Sequence, residues 1–534
     1  MNGSSFIKHG RDMLDYITKY LSTTEERPVY PHVKPGYLRE LVPEEAPDHP
    51  DTWQSIMKDV EDQIMPGVTH WQHRRFHAYF PAGNSYPSIL ADMLSDAIGS
   101  VGFSWAANPA GTELEMIVVD WLAKMMKLPK HFMFSTKGSQ GGGVIQGSAS
   151  ECTLVCLLAA RDKAIKNLQV QYPDEDRAIL LSKLVGYCSK QAHSSVEKAA
   201  MIGFVKLRQL QTDENYALRG STLLEAMKND EEKGLVPFFV AGTIGTTSVC
   251  SCDNIEELGK VCFERDVWLH CDGAYAGNSL ICPEFSYLSK GFQFLDSFNF
   301  NPNKWMMVNF DCSVMWVRQK ELLINAMNVD PLYLTFDKKE KSIDYRHWTI
   351  PLSRRFRSLK IWFVIRSYGV QGLQNYIRKH VQLAKMFASL ISADDRFEIL
   401  GQVRFGLVCF RLLGENNLSE ELITRINDSR MLHLTPSRLN DKFIVRLAIC
   451  HPNATEDDIN YAWKTIKDTA DVVLNQLNNV DEEKNAPLTQ DLINKIRNFS
   501  LIARVPSLPP YANTCRYFSP SVQRRLYTRR VTIS

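Results

Sequence analysis

From about residue 86 to 320 short apolar runs, each bounded by turn residues, alternate with helical stretches. That alternation leaves few folds open, because it is the pattern of parallel strands joined by crossover helices. Candidate strands are Pro237 to Ala241, Val267 to Cys271, Phe298 to Phe300 and Ser313 to Val317. After residue 365 come Phe397 to Leu400, Gly406 to Leu413 and Phe443 to Cys450, interleaved with helical runs near Ser419 to Asn427 and Thr455 to Leu474. The expectation is an α/β protein: a large, mainly parallel sheet followed by a smaller C-terminal α/β domain. With 44% hydrophobic residues in 534 the chain is too apolar to be disordered. Lys+Arg 62 against Asp+Glu 60 leaves +2, which argues against a nucleic acid or an acidic lipid surface as partner for the body of the protein.

The two ends break the alternation. Phe6, Met13, Leu14, Ile17 and Leu21 fall close to one face of a first helix, and six prolines then crowd Pro28 to Pro50. A striped helix on an extended arm is most simply explained by packing on a second copy, so a homodimer is expected. From Asn485 onward eight Lys/Arg stand against the single acid Asp491, a basic tail with little to suggest a fold of its own. The expected division is an arm over 1–85, a large domain over 86–364, a small one over 365–480 and a flexible tail over 481–534.

Lys8, Arg11, Asp12 and Asp15 interrupt the N-terminus, so it does not read as a signal peptide, and no run approaches the roughly 18 apolar residues of a membrane span. The twelve cysteines are scattered, and Cys250 and Cys252 lack the spacing of a zinc site. Reduced thiols in a cytoplasmic protein without a metal are expected. Asn453-Ala-Thr455 matches a glycosylation triplet, but Thr455 with Asp458 also has the spacing of a helix cap.

Three features concern chemistry. Gly141 to Gly147 runs into Ser148-Ala-Ser-Glu151 and then an apolar helical stretch, a junction that aims backbone N–H groups and a helix dipole at one point. Alone it reads as a glycine-rich turn into a capped helix. Val267 to Cys271 ends in Asp272, placing a carboxylate where α/β folds gather their ligands, although a strand-end aspartate is also a common turn residue. Some thirty residues on, Asn301-Pro-Asn-Lys304-Trp305 puts a lysine at another strand end, where a solvent-directed lysine would be the ordinary reading. Together a phosphate cradle, an acid and a lysine are the grips that pyridoxal phosphate needs for its phosphate, ring nitrogen and aldehyde.

With these residues in view the chain resembles the group II pyridoxal-phosphate decarboxylases of aromatic amino acids, over roughly residues 1 to 478. The motifs are PGYLRELVP (Pro35 to Pro43), MPGVTHWQ (Met65 to Gln72), HAYFPAGNSYPSIL (His77 to Leu90), TELE (Thr112 to Glu115), GGGVIQGSASE, QAHSSVEKA (Gln191 to Ala199), NPNKW and DYRHWTIPLSRRFRSLK (Asp344 to Lys360). The resemblance implies the type I aminotransferase-like fold in a homodimer. It makes Lys304 the lysine that condenses with the aldehyde, gives the phosphate to Ser148, Ala149, Ser150 and Asn301, and sets Asp272 against the pyridine nitrogen. His193 resembles the histidine stacked on the ring, and Thr247 another residue of the cofactor pocket. Tyr333 resembles the tyrosine that protonates Cα after carbon dioxide leaves, although a packed loop aromatic is its ordinary reading.

Trp71, Tyr79, Phe80, Pro81 and Phe103 match positions that line the aromatic substrate pocket in the family, and equally suit a core. Ser353 stands where tyrosine decarboxylases carry serine and enzymes of dopa or tryptophan commonly carry glycine. By resemblance, then, the expected reaction is L-tyrosine to tyramine, the precursor of octopamine. Dopa decarboxylation, aldehyde synthesis and a catalytically silent binding paralogue are the alternatives. Retention of His193 and Tyr333 favours amine over aldehyde. Departures from the pattern are Asn108, Gly111, Asn303, Thr335 and Phe336, and above all Gly273, where the usual alanine methyl is expected to pack on the cofactor ring.

Overall fold

Burial on both faces turns the apolar runs into strands. β1 (Gly142–Gln146), β2 (Leu184–Ser189), β3 (Lys206–Leu210), β4 (Val236–Thr243), β5 (Trp268–Asp272), β6 (Ser297–Phe300) and β7 (Ser313–Val317) form one seven-stranded sheet in the order β1-β7-β6-β5-β4-β2-β3. Strands β1, β2, β5, β6 and β7 are buried along their whole length, which is why they read as near-continuous apolar runs. β3 differs. It is the edge of the sheet opposite β1, its Lys206 and Arg208 are exposed, and charge of this kind blocks pairing with another chain.

Strands β2 to β6 pair in parallel, while β7 runs antiparallel to both β6 and β1. Two reversals cancel, so β1 points the same way as β6. The carboxyl ends of β1, β2, β4, β5 and β6 therefore share one edge, the place where ligands bind in such folds.

A four-stranded antiparallel sheet follows, made of β8 (Phe397–Ile399), β9 (Leu407–Leu412), β10 (Thr435–Leu439) and β11 (Lys442–Ala448). Helices Ser358–Ser392, Asn416–Ser429 and Glu456–Asn485 accompany it, and Leu422, Ile426, Ile459 and Ile466 belong to its core. Thr455 and Asp458 bond reciprocally ahead of the last helix, Thr455 N to Asp458 Oδ2 at 2.8 Å and Asp458 N to Thr455 Oγ1 at 3.4 Å. The structure, a computed structural model, describes residues 1–329 and 343–485, the side chains of 477–485 excepted. Met1–Leu474 form one compact unit.

Two local outcomes bear on the site. Gly141 to Gly147, expected as a turn, contains β1. A Cβ on Gly142 would lie 2.1 Å from Phe134 and one on Gly143 2.2 Å from Val119, so these glycines serve close packing of a buried strand at one end of the sheet. The first helix, Gly3–Ser22, buries none of its residues, and Phe6 is 65% exposed. Farther along the N-terminal segment Phe76, Ala78 and Phe80 do join this chain's own core.

Among the described residues no helix is long and apolar enough to cross a membrane, and no cluster suited to a metal occurs. The described cysteines are free thiols.

Candidate active site

Five strand ends meet at a cavity of about 250 Å³ whose lining includes Ser148, Ala149, Ser150, His193, Thr247, Asp272, Asn301 and Lys304. Past β1, Ser148 caps the helix Ala149–Gln171 by accepting from Glu151 N at 3.2 Å. The Glu151 carboxylate reaches back one residue further than a capping box requires, accepting from Gly147 N at 3.0 Å. Ala149 N and Ser150 N are first-turn donors without an intrahelical acceptor, beside two serine hydroxyls and the positive end of the helix dipole. Asn301, just past β6, has its Oδ1 fixed by the Ser313 hydroxyl at 2.8 Å.

Asp272 ends β5 and is 3% exposed. Its Oδ1 accepts from Ala274 N at 2.9 Å and Asn299 Nδ2 at 3.3 Å, while Oδ2 takes no bond among the described residues. Lys304 rides on the one-turn helix Pro302–Trp305, with Nζ 5.6 Å from the Phe80 ring centre. Burial lowers its pKa, and Asp272 opposes that by favouring the charged amine. His193 caps Ser194–Gly203, its Nδ1 accepting from Ser195 N at 3.1 Å, so the neutral ring carries its proton on Nε2. Dehydration lowers this imidazole and holds it neutral.

An aromatic column fixes the lysine's helix. Phe80 stacks on Tyr275 at 4.1 Å, Tyr275 stacks on Trp305 at 4.7 Å, and Trp305 Nε1 donates to His380 Nδ1 at 3.0 Å. The column ties the N-terminal segment, the loop after β5 and the helix Ser358–Ser392 to Lys304.

The residues expected to contact substrate fall into two groups. Phe80 lines the cavity, whereas the buried Pro81 is outside its lining, as are Trp71 and Tyr79, which stack on each other at 5.1 Å with both rings partly exposed. Phe103 and Ser353 do not line the cavity. Their segments join each other instead, through Gly102 N to Arg354 O at 3.0 Å and Arg346 N to Phe103 O at 3.2 Å, and Ser353 is exposed. Tyr333, Thr335 and Phe336 lie outside the described residues.

The conserved domain of the pyridoxal-dependent decarboxylases matches residues 35–413. The chain belongs to this family. It is 55% identical over 476 residues to the aromatic-L-amino-acid decarboxylase of Mus musculus, an alignment covering 89% of this chain and 99% of that protein. Among solved structures it resembles the 4-hydroxyphenylacetaldehyde synthase of Rhodiola rosea, with a TM-score of 0.82 and 39% identity over 88% of this chain and 99% of the other. It also resembles Oryza sativa TDC solved with PLP and tryptamine, with a TM-score of 0.84 and 35% identity over 88% and 98%. The cofactor of this decarboxylase is pyridoxal phosphate.

The residues present fit that group. Orphan N–H donors and hydroxyls at the helix start suit a phosphate, the uncommitted Asp272 Oδ2 suits a protonated ring nitrogen, and Lys304 supplies an amine whose charged form is disfavoured. Thr243 Oγ1 is buried without a partner at the same cavity, a further donor that sequence reading missed. Gly273 requires a correction. A Cβ there would meet Phe298 Cε2 at 2.8 Å and Asn299 O at 3.1 Å, inside the core, whereas the methyl that lines the cavity belongs to Ala274.

Arg446 was also missed. It is buried in β11, donates from Nη1 to Thr435 Oγ1 at 3.0 Å and from Nη2 to Tyr79 O at 3.1 Å, and has no ion pair among the described residues. Its guanidinium carbon lies 5.1 Å from the Phe80 ring centre and helps to disfavour the charged form of Lys304. The available signal was a lone arginine in the apolar run Phe443 to Ala448.

Proposed function

We propose that this decarboxylase acts on aromatic L-amino acids and prefers L-tyrosine, forming tyramine and carbon dioxide. The observation that carries the reaction is the convergence of Lys304, Asp272 and the helix-start donors on one cavity. Bound pyridoxal phosphate supplies an electron sink for the bonding pair that carbon dioxide leaves behind. Lys304 holds the aldehyde carbon and is available as a neutral nucleophile because burial disfavours its ammonium form. Asp272 keeps a proton on the ring nitrogen. His193 presents a neutral imidazole to the cavity, and Tyr333 delivers the proton to Cα that completes the amine.

Phe80, with Trp71 and Tyr79 beside it, supports a flat apolar side chain in the substrate, as do the relatives named for aromatic amino acids. Ser353 supports tyrosine, since its hydroxyl can bond a 4-hydroxyl group. The separation of Ser353 and Phe103 from the cavity lining supports a homodimer in which the second copy brings them to the substrate. The unburied first helix supports the same assembly.

The deciding assay offers tyrosine, dopa and tryptophan side by side and measures amine, aldehyde and peroxide. The expected result is the highest kcat/KM for tyrosine, with one amine formed per carbon dioxide and no peroxide. A preference for dopa would overturn the substrate assignment, and aldehyde with peroxide would overturn the reaction. A chain that shows no visible cofactor absorbance sensitive to borohydride would instead be the silent paralogue.

A further inference from the structure

A second cavity, of about 440 Å³, lies behind the segment that follows β4. Thr243 and Gly245 face the cofactor cavity, while Ile244, Cys252 and Asp253 line the second one. The shared wall is tightly bonded. Gly245 N and Thr246 N both donate to Ser251 O at 2.9 Å, and Thr243 N donates to Asp253 Oδ2 at 2.8 Å.

The acids around this cavity are all engaged. Asp213 Oδ1 accepts from Asn215 N and Ala217 N at 2.9 Å each, and its Oδ2 meets Arg219 at 3.3 Å. Asp253 Oδ1 accepts from Leu218 N at 2.8 Å, and Glu256 holds Lys260 at 3.2 Å. The cations are not all engaged. Arg219 is taken by Glu257 and Asp213, but the half-buried Arg404 meets no carboxylate among the described residues, reaching the neutral Gln402 Oε1, at 2.8 and 2.5 Å, and the Cys252 thiol. Lys290 has no ion pair, and the Tyr287 hydroxyl no bond, among the described residues. Once the internal bonds are counted, the cavity presents an excess of positive and neutral donors. Ile244, Ile255 and Leu288 add an apolar wall.

We propose that this cavity binds a phosphate monoester, with Arg404 and Lys290 gripping the phosphate and Tyr287 donating to it. A planar fork and a point charge approaching from different segments suit a tetrahedral dianion better than a single flat carboxylate. The apolar wall takes the organic part. The site is separate from the cofactor's phosphate cradle and does not depend on which amino acid is decarboxylated.

The test is equilibrium dialysis of labelled inorganic phosphate against holoenzyme saturated with cofactor, at constant ionic strength. One phosphate per chain beyond the cofactor's own is expected. Arg404→Gln and Lys290→Gln should each weaken that binding about tenfold or more, with cofactor content and decarboxylase activity retained as evidence of an intact fold. No saturable binding up to about 10 mM, or undiminished binding in the Arg404→Gln protein, would overturn the proposal.

Discussion

Asp272→Ala removes the acid proposed to keep the ring nitrogen protonated but leaves Lys304 and the helix-start donors in place. Turnover should fall by about a hundredfold or more, the scale of losing a preorganised electrostatic partner, while bound cofactor, read by its absorbance, stays near stoichiometric. Equal losses of both would remove Asp272 from the chemistry. Ser353→Gly deletes one hydroxyl and should lower the tyrosine-over-dopa ratio of kcat/KM about 10- to 100-fold. An unchanged ratio would place the preference elsewhere. Ala274 shows how a one-residue error arises at this scale. Adjacent positions of a strand-end turn point to opposite sides, and the letters Asp-Gly-Ala do not say which side meets the cavity.

At the scale of elements, Glu115 binds three segments together. Its carboxylate accepts from Ile145 N in β1 at 2.8 Å and pairs with the buried Arg354, which also donates to Ile145 O at 3.2 Å. The motif TELE is thus the anchor of the segment that carries Ser353. Glu115→Ala leaves a buried guanidinium without its counter-charge and should cost about 3–5 kcal/mol, measured as a lowered midpoint in urea. The helix Gly3–Ser22 has the opposite character, with Phe6 and Leu14 exposed and no residue buried. Phe6→Asp with Leu14→Asp should convert the proposed dimer to monomer in sedimentation at low concentration, with activity lost in parallel. A monomeric parent protein would end that proposal.

For the whole molecule, acid stability follows from imidazoles buried in their neutral form. Burial pushes His73, His270 and His451 down to about 4 and His380 down to about 3. A depressed histidine binds its proton only in the unfolded chain between those values and about 6.5, so stability is full above that range and falls as pH drops through it. Asp253, pushed up to about 7 by burial, and Asp296, also raised by burial, work the other way, but the lowered histidines outnumber them, with His131 at about 4 among them. Unfolding free energy should therefore be lower at pH 5 than at pH 7.5, and the reverse order would show that these rings are solvated.

Although β1, β2, β3 and β10 are not among the expected strands, strands β4 to β9 and β11, the helix starts at Ser148 and Thr455, and the acid and lysine at successive strand ends could be read directly from the sequence. Each is a local pattern, set by burial period, capping chemistry or the position of one residue at the end of an apolar run. Tertiary structure alone decided the rest. It made Gly142 and Gly143 part of a strand because Phe134 and Val119 crowd them, and it turned Arg446 from a charge in an apolar run into a neighbour of Lys304. It also joined the segments of Ser353 and Phe103 away from the cavity lining, and brought Arg404 and Lys290 to the lining of a second one. These depend on which distant segments meet, and close packing between segments far apart in the chain leaves no periodic trace in either.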